Sequence, residues 1–389
     1  MNVPQLFQTM PCRVSGYQAA LDGLNISDTY LVAFNDICNN GTNILSPAAH
    51  SDYVGSYIYI PFLSKLFDLN IEITTILFYS LYGIICILIS LVGLFKFYNS
   101  NISKIYGVTF ITSIGFLCIF ISDTYCFYGL TTLALITWWT KIKELEKINY
   151  KKLIFLFLIT GLIISFSNTV RGNSGNDVIL SILVLLIFNT YKDKKFLRVW
   201  SIFLIVIPIV LINLQIKKIE IKAKNYLIKV KDIEKTYDLN FKRALWHNAY
   251  YNLGYLSINN KDIPVPSDTY SVEKARKVNP KVILYSSEYE KILKNEFIKF
   301  VKKNPFLFIQ ISASKAGVVL LYFLIFFNIG IYYLFKNKIK FETIIFFVPG
   351  IILNFLFGIA AEPNYVYLLG LFAYSGLFTT KLIEDYHSQ

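Results

Sequence analysis

The chain has 389 residues, of which 55% are hydrophobic and only 16% charged, and its formal net charge is +13. Soluble globular domains run roughly 45–50% apolar and about 25% charged, so this composition excludes a mostly wetted domain, a disordered chain and a disulfide scaffold. The positive charge is not that of a nucleic-acid binder either, because the lysines lie between long apolar runs and in one loop.

A bilayer core of roughly 30 Å needs about 20 apolar helical residues. Nine runs fit that pattern in chain order: Glu72 to Phe95, Ile105 to Ser122, Thr124 to Thr140, Leu153 to Val170, Asp177 to Thr190, Val199 to Ile216, Gly317 to Phe335, Phe341 to Gly358 and Tyr365 to Thr380. The fifth is short for a full crossing. The expected fold class is therefore all-α, a polytopic transmembrane helix bundle. It divides into a leader (1–71), six spans (72–216) with a polar break at 168–177, a large loop (217–305), and three closing spans with a short tail (306–389). Lys and Arg in short loops set orientation. Alternate loops between Lys96 and Lys381 hold fifteen of them, whereas the opposite short loops hold only Arg171. The lysine-rich side is thus expected to be cytoplasmic, and the leader and large loop outward.

The two outward segments differ in charge. The leader carries Arg13 and Lys65 against Asp22, Asp28, Asp36, Asp52 and Asp68, whereas the large loop has 19 basic and 10 acidic residues. Within that loop, Ile216, Ile219, Ala223, Tyr226, Leu227, Val230 and Ile233 recur at helical spacing among lysines. This pattern predicts an amphipathic helix in the headgroup plane. A capping box of Ser287 with Glu290 opens a second amphipathic helix that runs through Leu293, Phe297, Phe300 and Val301 to Pro305. Between the two sits RALWHNAYYNLGYL, Arg243 to Leu256. Such basic helices bind anionic membrane lipids. Cys12 and Cys38 both lie in the leader, where a disulfide is chemically permitted.

The string SDTYLVAFNDICNNG, Ser27 to Gly41, resembles the first outer loop of the C-type glycosyltransferases that use lipid-linked sugars, the GT-C fold. HSDYVGSYIYIPFLSKLF, His50 to Phe67, is similar to the extended stretch with a proline that leads to the next span. FSNTVRGNSGNDVIL, Phe166 to Leu180, resembles the polar break with an Arg between two mid-chain spans, and WHNAYYNLGYL resembles the large outer loop of bacterial members. Three departures stand out: the family's first span has no counterpart ahead of the leader, Thr29 stands where a second acidic residue is frequent, and there is no C-terminal soluble domain.

The resemblance implies an enzyme of the bacterial inner membrane that moves a sugar from a polyprenyl phosphate to a cell-envelope glycan or glycolipid acceptor on the outer face. Such a transfer needs a carboxylate to take the acceptor proton and cations to hold the departing phosphate. Asp28 is the first candidate base and Asp52 the second; an Asp ahead of a helix also serves as an N-cap. Arg171, among Asn168, Gly172, Asn173, Ser174 and Gly175, is the candidate phosphate ligand, the alternative being an ion pair with Asp177. Lys315 fits the same role or snorkels to the headgroups. His247 fits a diphosphate or acceptor contact, or a structural place under an aromatic lid; Trp246, Asn248 and Tyr250 are candidate cavity residues, as are Asp268 and Glu273. A divalent metal has no supporting ligand spacing. Two other readings stay open: a polysaccharide polymerase or ligase of the O-antigen kind, and a transporter or flippase, against which the nearly charge-free span centres count.

Overall fold

A computed structural model describes residues 11–27, 31–35, 43–47, 54–140, 150–188, 195–231, 245–255, 263, 267–282, 286–336, 339–361 and 363–388. The leader contributes α1 (Pro11–Ser27), a two-stranded antiparallel hairpin that pairs Leu31–Asn35 with Asn43–Pro47, and α2 (Val54–Phe67). The apolar runs become α3 (Ile71–Phe97), α4 (Asn101–Ile121), α5 (Cys126–Trp139), α6 (Tyr150–Val170), α7 (Asn176–Phe188), α8 (Lys195–Lys231), α12 (Pro305–Lys336), α13 (Phe341–Ala360) and α14 (Leu369–His387). Between α8 and α12 lie α9 (Leu245–Tyr251), α10 (Asp268–Val278) and α11 (Ser287–Lys303). Six of the described helices are long and apolar enough to cross a bilayer, and three shorter apolar ones stand among them. The protein is an all-α, multi-pass membrane helix bundle.

Helix α14 is the axis of the bundle. Apart from its last two turns its residues are apolar, small or hydroxylated all round, from Leu369 to Thr380, and its neighbours α4, α5, α12 and α13 bury it almost completely. A helix apolar on every face belongs inside a bundle. Outer helices show the opposite pattern. On α3 the residues Ile73, Leu77, Leu81, Ile84, Leu88, Val92 and Phe95 are exposed at spacings of three and four, which is the stripe expected of a lipid-facing surface. Helix α8 packs mainly on α6, where Gly161 lets the backbones close. A Cβ there would stand 2.5 Å from the Ile205 carbonyl oxygen.

The two ends of the bundle can be told apart by their contacts. At one, Glu384 near the end of α14 accepts hydrogen bonds from the Asn99 and Ser100 N–H groups at 2.9 and 3.0 Å and from Ser103 Oγ at 2.7 Å. It thereby caps α4 from another helix. Beside it, Asp385 accepts from Lys381 Nζ at 2.9 Å, Lys340 Nζ at 3.2 Å and Thr343 Oγ1 at 3.1 Å. Loops bearing Lys96, Lys104, Lys340 and Lys381 therefore share this end, as the charge bias requires of one membrane side. The α4–α5, α6–α7 and α13–α14 turns gather at the other end.

Three expectations change. The stretch around Pro61 is helical rather than extended, since α2 runs from Val54 to Phe67 with Pro61 inside it. The basic segment after Ile216 is not a separate helix in the headgroup plane. It continues α8 to Lys231 without interruption, so an unbroken hydrogen-bond ladder carries the span axis onward out of the membrane. The cap of α11 is Ser286, whose hydroxyl accepts from Tyr289 N–H, not Ser287. Glu290 is drawn away to another helix, as described below.

Candidate functional site

Helices α5 and α7 are short, 14 and 13 residues. At the lysine-rich end α5 is level with α3, because Tyr98 Oη donates to Thr140 Oγ1 at 3.3 Å. At the opposite end it falls short. Phe127, in the first turn of α5, stacks on Tyr82 at 4.2 Å and meets Tyr79 edge-on at 6.1 Å. Tyr79 lies eight residues into α3, so at 1.5 Å per residue the α5 terminus sits about 12 Å below the start of α3. The leader packs on this part of α3, with Tyr17 Oη 3.2 Å from Tyr79 Oη, and on α6, with Tyr59 stacked on Phe166. Arg171 is buried at the same end of the bundle.

Arg171 follows the last residue of α6 in a turn that reaches α7 only through left-handed backbone at Asn173 (φ 70°) and Gly175 (φ 84°). Its side chain is 6% exposed. The guanidinium carbon stands 4.0 Å from the centre of the Tyr125 ring, 5.6 Å from Tyr128 and 5.9 Å from Tyr367, and Nε donates to Tyr128 Oη at 3.1 Å. Tyr128 Oη in turn donates to the Gly172 carbonyl at 3.3 Å, and the Tyr125 and Tyr367 hydroxyls lie 2.9 Å apart. A guanidinium over aromatic rings gains about 0.5–2 kcal/mol and keeps its planar fork of donors oriented. In the same turn, the Ser174 hydroxyl is fully buried and has no hydrogen-bond partner among the described residues.

Asp177 is not the partner of Arg171. Its carboxylate accepts from Thr132 Oγ1 at 3.0 Å, Asn354 Nδ2 at 2.9 Å and the Val178 N–H at 2.9 Å. It ties α5, α7 and α13 together, and Ser181 bonded to Tyr374 at 2.9 Å extends the polar seam to α14. Lys315 on α12 does not snorkel to solvent. It is 4% exposed, donates to the Ala361 carbonyl at 3.1 Å and stands 5.7 Å from the Tyr255 ring.

Helices α9 to α11 form a lobe with its own core of Tyr250, Leu253, Ile263, Ala275, Val282, Tyr289, Leu293 and Phe300. His247 is 4% exposed and its Nδ1 lies 2.6 Å from Tyr289 Oη. Ser271 Oγ donates to the His247 carbonyl, and Glu290 accepts the Trp246 and His247 N–H groups at 2.8 and 3.1 Å. The carboxylate from α11 thus caps α9, satisfying donors that a helix start leaves open. His247 is a keystone of the lobe. Trp246 packs on Phe297 with Lys294 Nζ 5.6 Å from its ring; Tyr250 is core; Asn248 and Glu273 are exposed. None of these faces Arg171. The Asp268 side chain lies outside the described residues.

At the other end of the same motif Tyr255 meets Lys315, and the preceding 3-10 turn Asn252–Gly254 is buried, with Asn252 Oδ1 lacking a hydrogen-bond partner among the described residues. The leader arrives from a third side. Tyr59 Oη lies 3.1 Å from Thr169 Oγ1, and Gly55 is pressed so closely on Thr169 that a Cβ would stand 2.6 Å from its carbonyl oxygen. Asp28 and Asp52, the candidate bases, lie outside the described residues, as do Asp36 and the Cys12–Cys38 pairing. The tyrosines around Arg171 and the buried Asp123, which accepts from Thr124 Oγ1 at 2.9 Å, were missed in the sequence. A signal was present: Ser-Asp-Thr-Tyr stands at 27–30, at 122–125 and at 267–270.

Among the described residues, no group of three or more His, Cys, Asp or Glu could hold a metal ion. No protein-family model, no curated protein and no solved structure matches this chain.

Proposed function

We propose that the protein is an integral membrane glycosyltransferase of the GT-C kind, taking a sugar from a polyprenyl phosphate and passing it to an envelope glycan or lipid acceptor at the Arg171 end of the bundle. The observation that carries this reading is Arg171, a buried cation held by Tyr125, Tyr128 and Tyr367 from two other turns, with the leader's Gly55 and Tyr59 packed on Thr169 two residues before it. A cation at this end of the spans suits a ligand whose charged head sits at the membrane boundary and whose tail lies in lipid. Guanidinium and phosphate then pair by charge-assisted hydrogen bonds.

In the reaction, the acceptor oxygen forms a bond to the anomeric carbon as the bond from that carbon to the phosphate oxygen breaks. The acceptor proton passes to a carboxylate, Asp28 or Asp52, and polyprenyl phosphate leaves as an anion held by Arg171, with Lys315 as a second cation. Tyrosine hydroxyls and Asn252 offer hydrogen bonds to sugar hydroxyls. The rival reading as a polymerase or ligase rests on the many spans and on a large outward loop with an outer Arg and His; in that loop His247 is buried with Nδ1 2.6 Å from Tyr289 Oη.

The test is turnover in proteoliposomes supplied with a panel of radiolabelled polyprenyl-phosphate hexoses. Donor-dependent appearance of glycosylated lipid or glycan, lost in Asp28→Asn or Asp52→Asn and in Arg171→Ala, is the expected result. Full turnover in both Asp variants would remove the proposed base, and transport of a solute without donor consumption would overturn the reading.

A further inference from the structure

We infer that the lysine face of α11 is a docking surface for anionic phospholipid headgroups, which seats the lobe on the bilayer. This inference does not depend on the transferase reading. Helix α11 buries Tyr289, Leu293 and Phe300 in the lobe core and leaves Lys291, Lys294, Lys299, Lys302 and Lys303 exposed. Its acidic residues are turned to other uses. Glu290 caps α9, Glu296 is 2.9 Å from Lys274 and 3.8 Å from Lys299, and Glu288, at the far end, holds Asn279, so among these lysines Lys302 and Lys303 carry the charge with no acidic neighbour among the described residues.

The positive charge is therefore least compensated at the C-terminal end of α11. There a shallow open groove of about 520 Å3 is lined by Asn295, Ile298, Lys299, Lys302 and Lys303. That end is also where the chain enters the membrane. Asn304 alone separates Lys303 from α12, whose first turns present Phe306 at 86% exposure and Ile309 at 61%. Exposed aromatic and aliphatic side chains beneath a row of lysines form the boundary expected between acyl chains and headgroups. A Debye length of about 8 Å at physiological salt keeps Lys299, Lys302 and Lys303 within reach of that plane. Lys217 and Lys218 are exposed where α8 leaves the same side. A soluble acidic protein would answer the charge but not the apolar rim below it; a phospholipid answers both.

Each lysine near an anionic leaflet adds on the order of fivefold to association. The test places p-benzoylphenylalanine at Ile298 in the full-length protein, reconstituted in nanodiscs of phosphatidylcholine alone or mixed with phosphatidylglycerol. Photo-crosslinking is expected to recover phosphatidylglycerol several-fold above its share of the lipid, with that excess falling as salt is raised. The triple variant Lys299→Gln, Lys302→Gln, Lys303→Gln is expected to abolish the excess while eluting and melting as the parent does; a single Lys302→Gln variant serves if the triple fails to fold. Crosslinks in proportion to lipid composition, no lipid crosslink, or an excess unchanged by the Gln variants would overturn the inference.

Discussion

The two ends of this bundle solve opposite electrostatic problems. At the lysine-rich end the buried carboxylates are answered by the protein itself: Glu384 by two backbone N–H groups and two serines, Asp385 by two lysines and a threonine. At the other end the buried cations lie against aromatic faces, Arg171 on tyrosine rings and Lys315 on a ring beside a carbonyl. Ser174 Oγ and Asn252 Oδ1 are buried there with no hydrogen-bond partner among the described residues. One end is a clasp, where side chains hold helices in register. The other gathers distant turns around Arg171. Removing a carboxylate from the first should cost stability; removing the cation from the second should cost function.

The largest expected effect is on turnover. Arg171→Ala should lower donor consumption per folded molecule by on the order of 10²–10³, the range for losing one oriented stabiliser of a leaving anion, with a stability loss of no more than about 2 kcal/mol from its ring contacts; radiolabelled-donor turnover reads it. Next comes the clasp. Glu384→Ala strands the N-terminal donors of α4 and should destabilise the detergent-solubilised protein by about 2–3 kcal/mol, seen as a lower thermal midpoint, whereas turnover per folded molecule should persist. Smaller still is Glu290→Ala, which removes the cap from α9. A loss of about 1 kcal/mol should appear as faster amide exchange confined to α9 and its neighbours in the lobe. The smallest is Ser174→Ala, expected to change stability by less than about 0.5 kcal/mol, because the hydroxyl makes no bond to lose. If Arg171→Ala proved as destabilising as Glu384→Ala, the contrast between the ends would collapse.

How far the sequence discloses this arrangement depends on the kind of signal. Each of the nine apolar runs corresponds to a helix, since burial in lipid needs only length and hydropathy, and Arg171 stands out because charge is rare in the short loops on its side. Of the tyrosines around it, only Tyr125 carries a local mark, the repeated Ser-Asp-Thr-Tyr string. In a chain with 28 Tyr nothing local distinguishes Tyr128 and Tyr367 from tyrosines that merely pack, and they meet Arg171 only when distant turns converge. For His247 the sequence leaves a site role and a structural place both open, and its surroundings come from Tyr289 and Glu290, more than forty residues away. The capping box at Ser287 and Glu290 had the right residue types but a nonlocal outcome: the glutamate caps a different helix. Likewise the polarity of the segment after Ile216 marks where α8 leaves the membrane rather than a change of helix, because helical periodicity alone does not report whether the axis turns.

The central claim, that Arg171 is the seat of a lipid-linked phosphate, is tested most directly by the affinity of polyprenyl phosphate for the protein in nanodiscs, measured for wild type and Arg171→Ala. Saturable binding weakened at least about tenfold by the substitution, equivalent to about 1.4 kcal/mol, in protein that remains folded at the temperature of the measurement, is the predicted result. Equal affinity in the two proteins would contradict it.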